Sequence, residues 1–331
     1  MGFWQRLIKL EDRVDPVRVA LVGDDSNERK LLEAAYLQNS KTKVVFSGGT
    51  DGLEKMLRQG AAELVEIFAE VEKRVALAEQ CLEAGVNVSV GMPPALTAEK
   101  IDSLKQKAEL RGKLVRVRNQ LLYYHPYQKA RELLEQEKIG YATMLKLVVK
   151  RNRLPHKDFD RANWMLEHES DYLALAQYFF GPVEKIFVIN GSDGNNTVGS
   201  MLLGFKFKTP HRFGYLLADF APELQIRTFT EPVFRQVWMT GTAGVIMANR
   251  GEGQLWRLPP LLLRAKNYSH TFEDLKDNWE DVYPAMVNDM VGCLREHKPL
   301  VSGLELAAKG IAAALAAAAA LEAGQEVLIA Q

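Results

Sequence analysis

The sequence predicts an α/β protein of two domains: an N-terminal parallel-sheet domain over residues 1–120, then an α/β domain with a large, mainly antiparallel sheet over 121–331. Three observations carry this. Through about residue 120, short apolar runs alternate with helix-period runs, and strands separated by helices of that length need crossovers, which make a parallel sheet. Beyond residue 180, strand-like runs follow one another with only turn residues between them, the pattern of hairpins. A chain of 331 residues with 47% hydrophobic side chains can also build two cores.

The elements follow in order. Val17–Gly23 is a run of a buried strand, and 27–38 repeats apolar residues at helical spacing (Leu31, Leu32, Ala35, Tyr36). KVVFSGG (43–49) and ELVEIFA (63–69) are strands, and 71–85 is a helix stopped by Gly85. VNVSV (86–90) is a strand, Thr97 caps the next helix, Gly112 ends it, and KLVRVRN (113–119) completes the set. In the second half, 124–140 is a helix stopped by Gly140, YATMLKLVVKRN is a strand, and 162–180 is a helix broken by Gly181-Pro182. Six strand-like runs come next: EKIFVIN, VGSMLLGFKFKT, FGYLLADF, LQIRTFT, QVWMTGTAGVIMAN and GQLWRL. The tail returns to helix over VYPAMVNDMVGCLREH and 304–322, and these helices can pack back on the first domain.

Lys plus Arg equals Asp plus Glu, 42 each, so bulk charge gives no argument for nucleic acid; VRVRN and KRNR read as solvated strand ends. The two cysteines, Cys81 and Cys293, read as buried thiols of a reducing cytosol, with one long-range disulfide as the alternative. The start lacks the apolar core of an export signal, and IAAALAAAAAL (311–321) is too short to span a bilayer and reads as a packed helix. A cytoplasmic protein without a membrane partner is expected.

The stretch VRVALVGDDSNERK has the strand–turn–helix layout on which a dinucleotide's pyrophosphate sits, a Rossmann-like arrangement. The fingerprint G-x-G-x-x-G falls on Gly23, Asp25 and Glu28, so only the glycine that makes the turn is present. A Cβ at 25 obstructs close approach of a phosphate. Each added carboxylate at ~4 Å costs an anion on the order of 1–4 kcal/mol. Asp24, Asp25 or Ser26 can instead cap the helix.

Further motifs extend the pattern. ALAEQCLEAGVNVSVGMPP, then VRVRNQLLYYHPYQKARELLEQEKIG, the strand WMTGTAGVI and the tail WEDVYPAMVNDMVGCLREHKPLVSGLELAAKG follow in an order and spacing that resemble the glucose–fructose oxidoreductase and inositol dehydrogenase (Gfo/Idh/MocA) family over almost the whole chain. The resemblance implies a Rossmann-like N-terminal domain, NAD or NADP as cofactor, and oxidation or reduction of a sugar-like hydroxyl. It also implies a homodimer or tetramer formed through the C-terminal sheet.

The resemblance locates the chemistry, and the residues there depart from it. The cofactor-binding positions become Gly23, Asp25, Met92 and Pro93. Met92 stands where the family has the lysine of E-K-P, and a thioether moves no proton. The second strand ends FSGG without the ribose-binding acid, with Asp51 nearby but displaced. The catalytic positions become Glu167 and Asp171, the latter in place of a histidine, four apart on one helical face. Tyr124, His125 and His168 fall at the substrate cleft, with interdomain packing as the other reading of the tyrosines. His156, Glu167, His168 and Asp171 form an acid–imidazole cluster; a solvated helix face is the preferred reading over a metal site. Two functional expectations follow: a homologue with ordinary hydride transfer lost and a binding or regulatory role left, or a divergent active NAD(P)-dependent oxidoreductase.

Overall fold

The computed structural model describes residues 15–152, 161–191, 200–221, 233–251 and 258–329. In chain order, β1 (Val17–Gly23), α1 (Asn27–Gln38), β2 (Thr42–Gly48), α2 (Leu53–Arg58), β3 (Leu64–Phe68), α3 (Val71–Glu83), β4 (Asn87–Gly91), α4 (Ala98–Arg111) and β5 (Val115–Arg118) alternate as expected. Then come α5 (His125–Glu135), β6 (Ala142–Arg151), α6 (Arg161–His168), α7 (Ser170–Phe180), β7 (Val183–Asn190), β8 (Met201–Phe207) and β9 (Phe213–Phe220). The chain finishes with β10 (Phe234–Gly241), β11 (Gly244–Gly251), β12 (Leu261–Ala265), β13 (Tyr268–Phe272), α8 (Val282–Glu296), α9 (Leu304–Ala323) and β14 (Val327–Leu328).

Contacts divide the chain into two compact units, one of residues 1–91, 104–116 and 283–301, the other of 92–103, 117–282 and 302–331. The first holds a five-stranded sheet in the order β2-β1-β3-β4-β5. Its strands are parallel, with Val19 opposite Val44 and Leu64, and Val65 opposite Val88. β1 and β3 are buried along nearly their whole length, because helices cover both faces of such a sheet.

One polar network interrupts this apolar core. Arg116 of β5 and Glu66 of β3 form an ion pair with neither side chain exposed. Tyr36 of α1 donates to Glu66 Oε1 at 2.6 Å. Arg116 Nε donates to Ser89 Oγ at 3.0 Å, and Nη1 donates to the Met286 carbonyl of α8 at 2.6 Å. The guanidinium therefore ties three strands and two helices together, and its charge is satisfied on several sides as burial requires. Both cysteines lie in this unit, buried and unbonded.

The second unit is built on a nine-stranded sheet in the order β13-β12-β11-β10-β6-β9-β8-β7-β14. It is mainly antiparallel, with β6–β9 as a parallel pair. Helix α9 is 20 residues long with a mean hydropathy of 1.7, enough to cross a membrane by length and composition, yet 56% of its window is buried. It packs on α7, and the approach is close: a Cβ on Gly310 would stand 2.7 Å from the Ser170 carbonyl oxygen. Gln177 Nε2 donates across the seam to the Lys309 carbonyl at 2.8 Å. This is the packed helix expected from its alanine content.

Three differences from the sequence reading have physical causes. The helix expected over 162–180 breaks at Glu169 (φ −111°, ψ −16°) into α6 and α7; the Ser170 hydroxyl donates back to the Leu166 carbonyl, a bond that bends helices. The hairpin β12–β13 and the short α2 were not anticipated, since LLLRAKNYSHTF lacks clean alternation and LEKMLR spans fewer than two turns. The strand-like runs LQIRTFT and GQLWRL fall almost entirely outside the described residues.

Candidate functional site

The turn after β1 is held by its own residues and by the end of β3. Gly23 sits at φ +121°, and a Cβ there would stand 1.8 Å from the Phe68 carbonyl oxygen, so this glycine is required by the fold itself. Among the candidate caps, Ser26 fills the role: its Oγ accepts from the Arg29 amide at 3.2 Å. The Asp24 amide donates to the Phe68 carbonyl at 2.7 Å and the Ser26 amide to the Asp24 carbonyl at 2.9 Å. Two amides of the phosphate turn, and that of Arg29 in the first turn of α1, are thus engaged within the protein. Asp25 is exposed and pairs with Lys30 at 3.0 Å. Arg29 is buried; its Nη1 donates to the Gly23 carbonyl at 2.6 Å and its Nη2 to Ser47 Oγ at 2.8 Å. It cross-links the ends of β1 and β2, where the sequence lacks the ribose-binding acid that the family resemblance implies. Met92 follows β4 and joins Pro93 through a cis peptide bond.

The second unit contains a cavity of about 180 Å³ lined by Gln120, Arg151, Glu167, His168, Asp171 and Arg235, together with Leu121, Tyr172 and Trp279. Glu167, His168 and Asp171 are brought together, from the end of α6 and the first turn of α7. Tyr124 lies behind the lining, buried, its hydroxyl 3.4 Å from the Asn249 carbonyl and its ring 5.8 Å from Trp279. His125 opens α5 and does not line the cavity. His156 lies outside the described residues, and among the described residues no three His, Cys, Asp or Glu side chains gather as metal ligands.

Sequence reasoning missed the cavity's cations and the buried acid that pairs with one of them. Arg151, at the end of β6, pairs with Glu169 Oε1 at 2.9 Å, and Glu169 is fully buried. Burial pushes the Glu169 carboxyl above its usual range, against the pull of Arg151. Arg151 Nη2 also donates to the His168 carbonyl at 3.1 Å, and its guanidinium lies 5.4 Å from the Trp164 ring. His168 presents an exposed edge while its ring packs 5.4 Å from Trp164; burial first and Arg151 second push the imidazole down to about 4. It is neutral at pH 7, able to donate and accept a hydrogen bond. Arg235 of β10 is buried, donates to the Tyr172 hydroxyl at 3.1 Å and stacks 4.3 Å from Trp279. A signal for these arginines existed, a cation at an inward position of an otherwise apolar strand, but the strand's facing is fixed only by its neighbours.

Solved structures place this architecture. An oxidoreductase from Agrobacterium radiobacter in complex with NAD+, L-tartaric acid and magnesium is 13% identical, with 95% of this chain and 98% of that one covered at a TM-score of 0.78. The WlbA dehydrogenase from Bordetella pertussis, in complex with NADH and UDP-GlcNAcA, is 16% identical over 96% and 99% at 0.74. An oxidoreductase from Thermotoga maritima is 16% identical over 95% and 98% at 0.72. The chain has the fold of these oxidoreductases. It is the fold that the Gfo/Idh/MocA resemblance implies, kept at low sequence identity. No protein-family model and no curated protein sequence matches the chain.

Proposed function

We propose that the protein is a binding or regulatory homologue of NAD(P)-dependent sugar and polyol oxidoreductases in which ordinary hydride transfer is lost. The observation that carries this is the closed turn after β1. The amides of Asp24, Ser26 and Arg29 are satisfied from within, and Asp25 projects a carboxylate where a glycine would admit a phosphate. An NAD or NADP pyrophosphate held in the ordinary way does not fit these residues. Met92 removes the family's proton-bearing lysine, and Asp171 replaces its histidine. The experiment is thermal unfolding with millimolar NAD+ and NADP+. A ligand that binds only the native state raises its stability, so the expected result is no shift with either, and a clear shift would overturn the reading.

A second reading, a divergent active oxidoreductase, draws on the cavity of the second unit. Glu167, His168 and Asp171 still converge there, and Asp171 could act as a general base if its surroundings raised its pKa. Turnover of a dinucleotide with any sugar-like hydroxyl would favour it.

We also propose a cytoplasmic homo-oligomer joined through the nine-stranded sheet. The outward row Phe187, Gly204, Tyr215, Lys146, Trp238, Met247 and Leu262 runs across seven strands in register and is mostly apolar. With Ile189 and Phe213 exposed beside it, this is a patch of the kind that a second copy covers. Two free, buried thiols suit a reducing compartment.

A further inference from the structure

The nine-stranded sheet ends in two unlike edges. At one end β14 is two residues long, and Lys185 of the adjacent β7 pairs with Glu326 at 2.8 Å. Short length and charge are devices that keep an edge from pairing with another chain. At the other end β13 has neither protection. Its sequence YSHTF contains no proline and no Lys, Arg, Asp or Glu, and it is exposed from Tyr268 to Thr271.

The hairpin fixes which groups this edge offers. Lys266 and Asn267 form the turn between β12 and β13, Lys266 at φ +49°, so Ala265 and Tyr268 are the bonded pair that closes it. Bonded and non-bonded pairs alternate along an antiparallel ladder. His270 and Phe272 therefore bond to β12 along with Tyr268, while the backbone N–H and C=O groups of Ser269 and Thr271 turn to the free edge. Side chains alternate as well. Tyr268, His270 and Phe272 share the face of the buried Ala265, Leu263 and Leu261; Ser269 and Thr271 share the outward face. Thr271 stands opposite Leu262 and so continues the outward row. Charge is asymmetric along the strand: Lys266 precedes it, and Glu273 and Asp274 follow it. All three are exposed, and none has an ion-pair partner among the described residues.

We propose that β13 pairs antiparallel with β13 of a second copy of the chain, about a two-fold axis at His270. Tyr268 then faces Phe272 of the other copy and Ser269 faces Thr271, an aromatic pair and a hydroxyl pair of the kind that stabilise a sheet. Ser269 and Thr271 exchange their free backbone bonds across the axis. Lys266 comes beside Asp274 of the other copy, and the symmetry repeats that pair. A parallel pairing would set Lys266 against Lys266 and Asp274 against Asp274, so the charges select the antiparallel one. Five residues a copy are far fewer than the roughly 20–30 a side of a stable interface. The contact is therefore weak in isolation. It forms at high concentration, or between assemblies already joined through the sheet face, where effective concentration is high.

The test is sedimentation equilibrium of the full chain carrying Trp238→Glu, which removes the sheet-face contact, from micromolar to near-millimolar protein at low ionic strength. The expected result is a monomer that dimerises at the upper end of that range. Thr271→Pro is expected to abolish this dimer, because it removes a donor from the free edge and no bond to β12. Lys266→Asp lies at an exposed turn whose backbone Asp tolerates. It is expected to weaken the dimer about tenfold or more by opposing Asp274, and Lys266→Asp/Asp274→Lys to restore it. Three results each overturn the proposal: no dimer at near-millimolar concentration, a dimer that survives Thr271→Pro, or a double variant no tighter than Lys266→Asp alone. A Trp238→Glu protein already dimeric at micromolar concentration would contradict the sheet-face reading instead. The β13 variants then decide whether that dimer is the edge pair, so the two failures are distinguishable.

Discussion

Glu169 shows how a single residue sets the character of the second unit. It is a fully buried carboxylate facing a nearly buried arginine, and breaking such a pair leaves the other charge stranded. Glu169→Gln is expected to cost about 3 kcal/mol in denaturant unfolding. His168 gives a pH dependence with a definite sign. Its imidazole is held down to about 4 in the fold against 6.5 ordinarily. Between those values the unfolded chain binds more protons, so stability falls as pH drops from about 6.5 to 4. His168→Gln should remove that part of the slope, read from unfolding curves at several pH values. The thiols of Cys81 and Cys293 are pushed by burial up to about 12 and about 11. Neither should react with a thiol reagent at neutral pH until the protein unfolds. At this scale the sequence indicated the residue types at the acid–imidazole cluster but not their partners. Arg151 and Glu169 are 18 apart in the chain and meet only once α6 follows β6 back onto the sheet.

Among the elements, those with strong local punctuation were legible: Gly112 stops the preceding helix at positive φ, and Ser26 and Thr97 cap the helices that follow them; the helix expected to run to Gly140 ends at Glu135 instead, capped by Gln136. Less visible were features decided by tertiary contact. Nothing local to VRVRN marks Arg116 as buried; the cation is tolerated because Glu66, Ser89 and a carbonyl of α8 close around it. Arg116→Met is expected to destabilise the protein by about 3–5 kcal/mol, while the double variant Arg116→Met/Glu66→Leu recovers part of that loss, a coupling that a double-mutant cycle measures. The break between α6 and α7 belongs here as well. It puts Glu167 and Asp171, which the sequence places on one continuous helical face, on successive helices that both still line the cavity, and it sets Glu169 inward.

For the molecule as a whole, the architecture was carried by the alternation of periods along the chain and by motif order, which survive at 13–16% identity to solved oxidoreductases. The proposed loss of hydride transfer is compatible with a kept architecture, because a fold keeps its packing residues under constraints that its site residues do not share. Assembly through the sheet is testable directly: Trp238→Glu, on the outward row, should shift the protein to monomer in light scattering, whereas an unchanged mass would point to another interface. The central claim concerns the turn after β1, and calorimetric titration of NADH into the full chain tests it most directly, with the variant Asp25→Gly/Glu28→Gly/Met92→Lys beside it. The account predicts no heat of binding for the wild type at millimolar NADH, with any binding confined to the variant. A saturable micromolar isotherm from the wild type would contradict it.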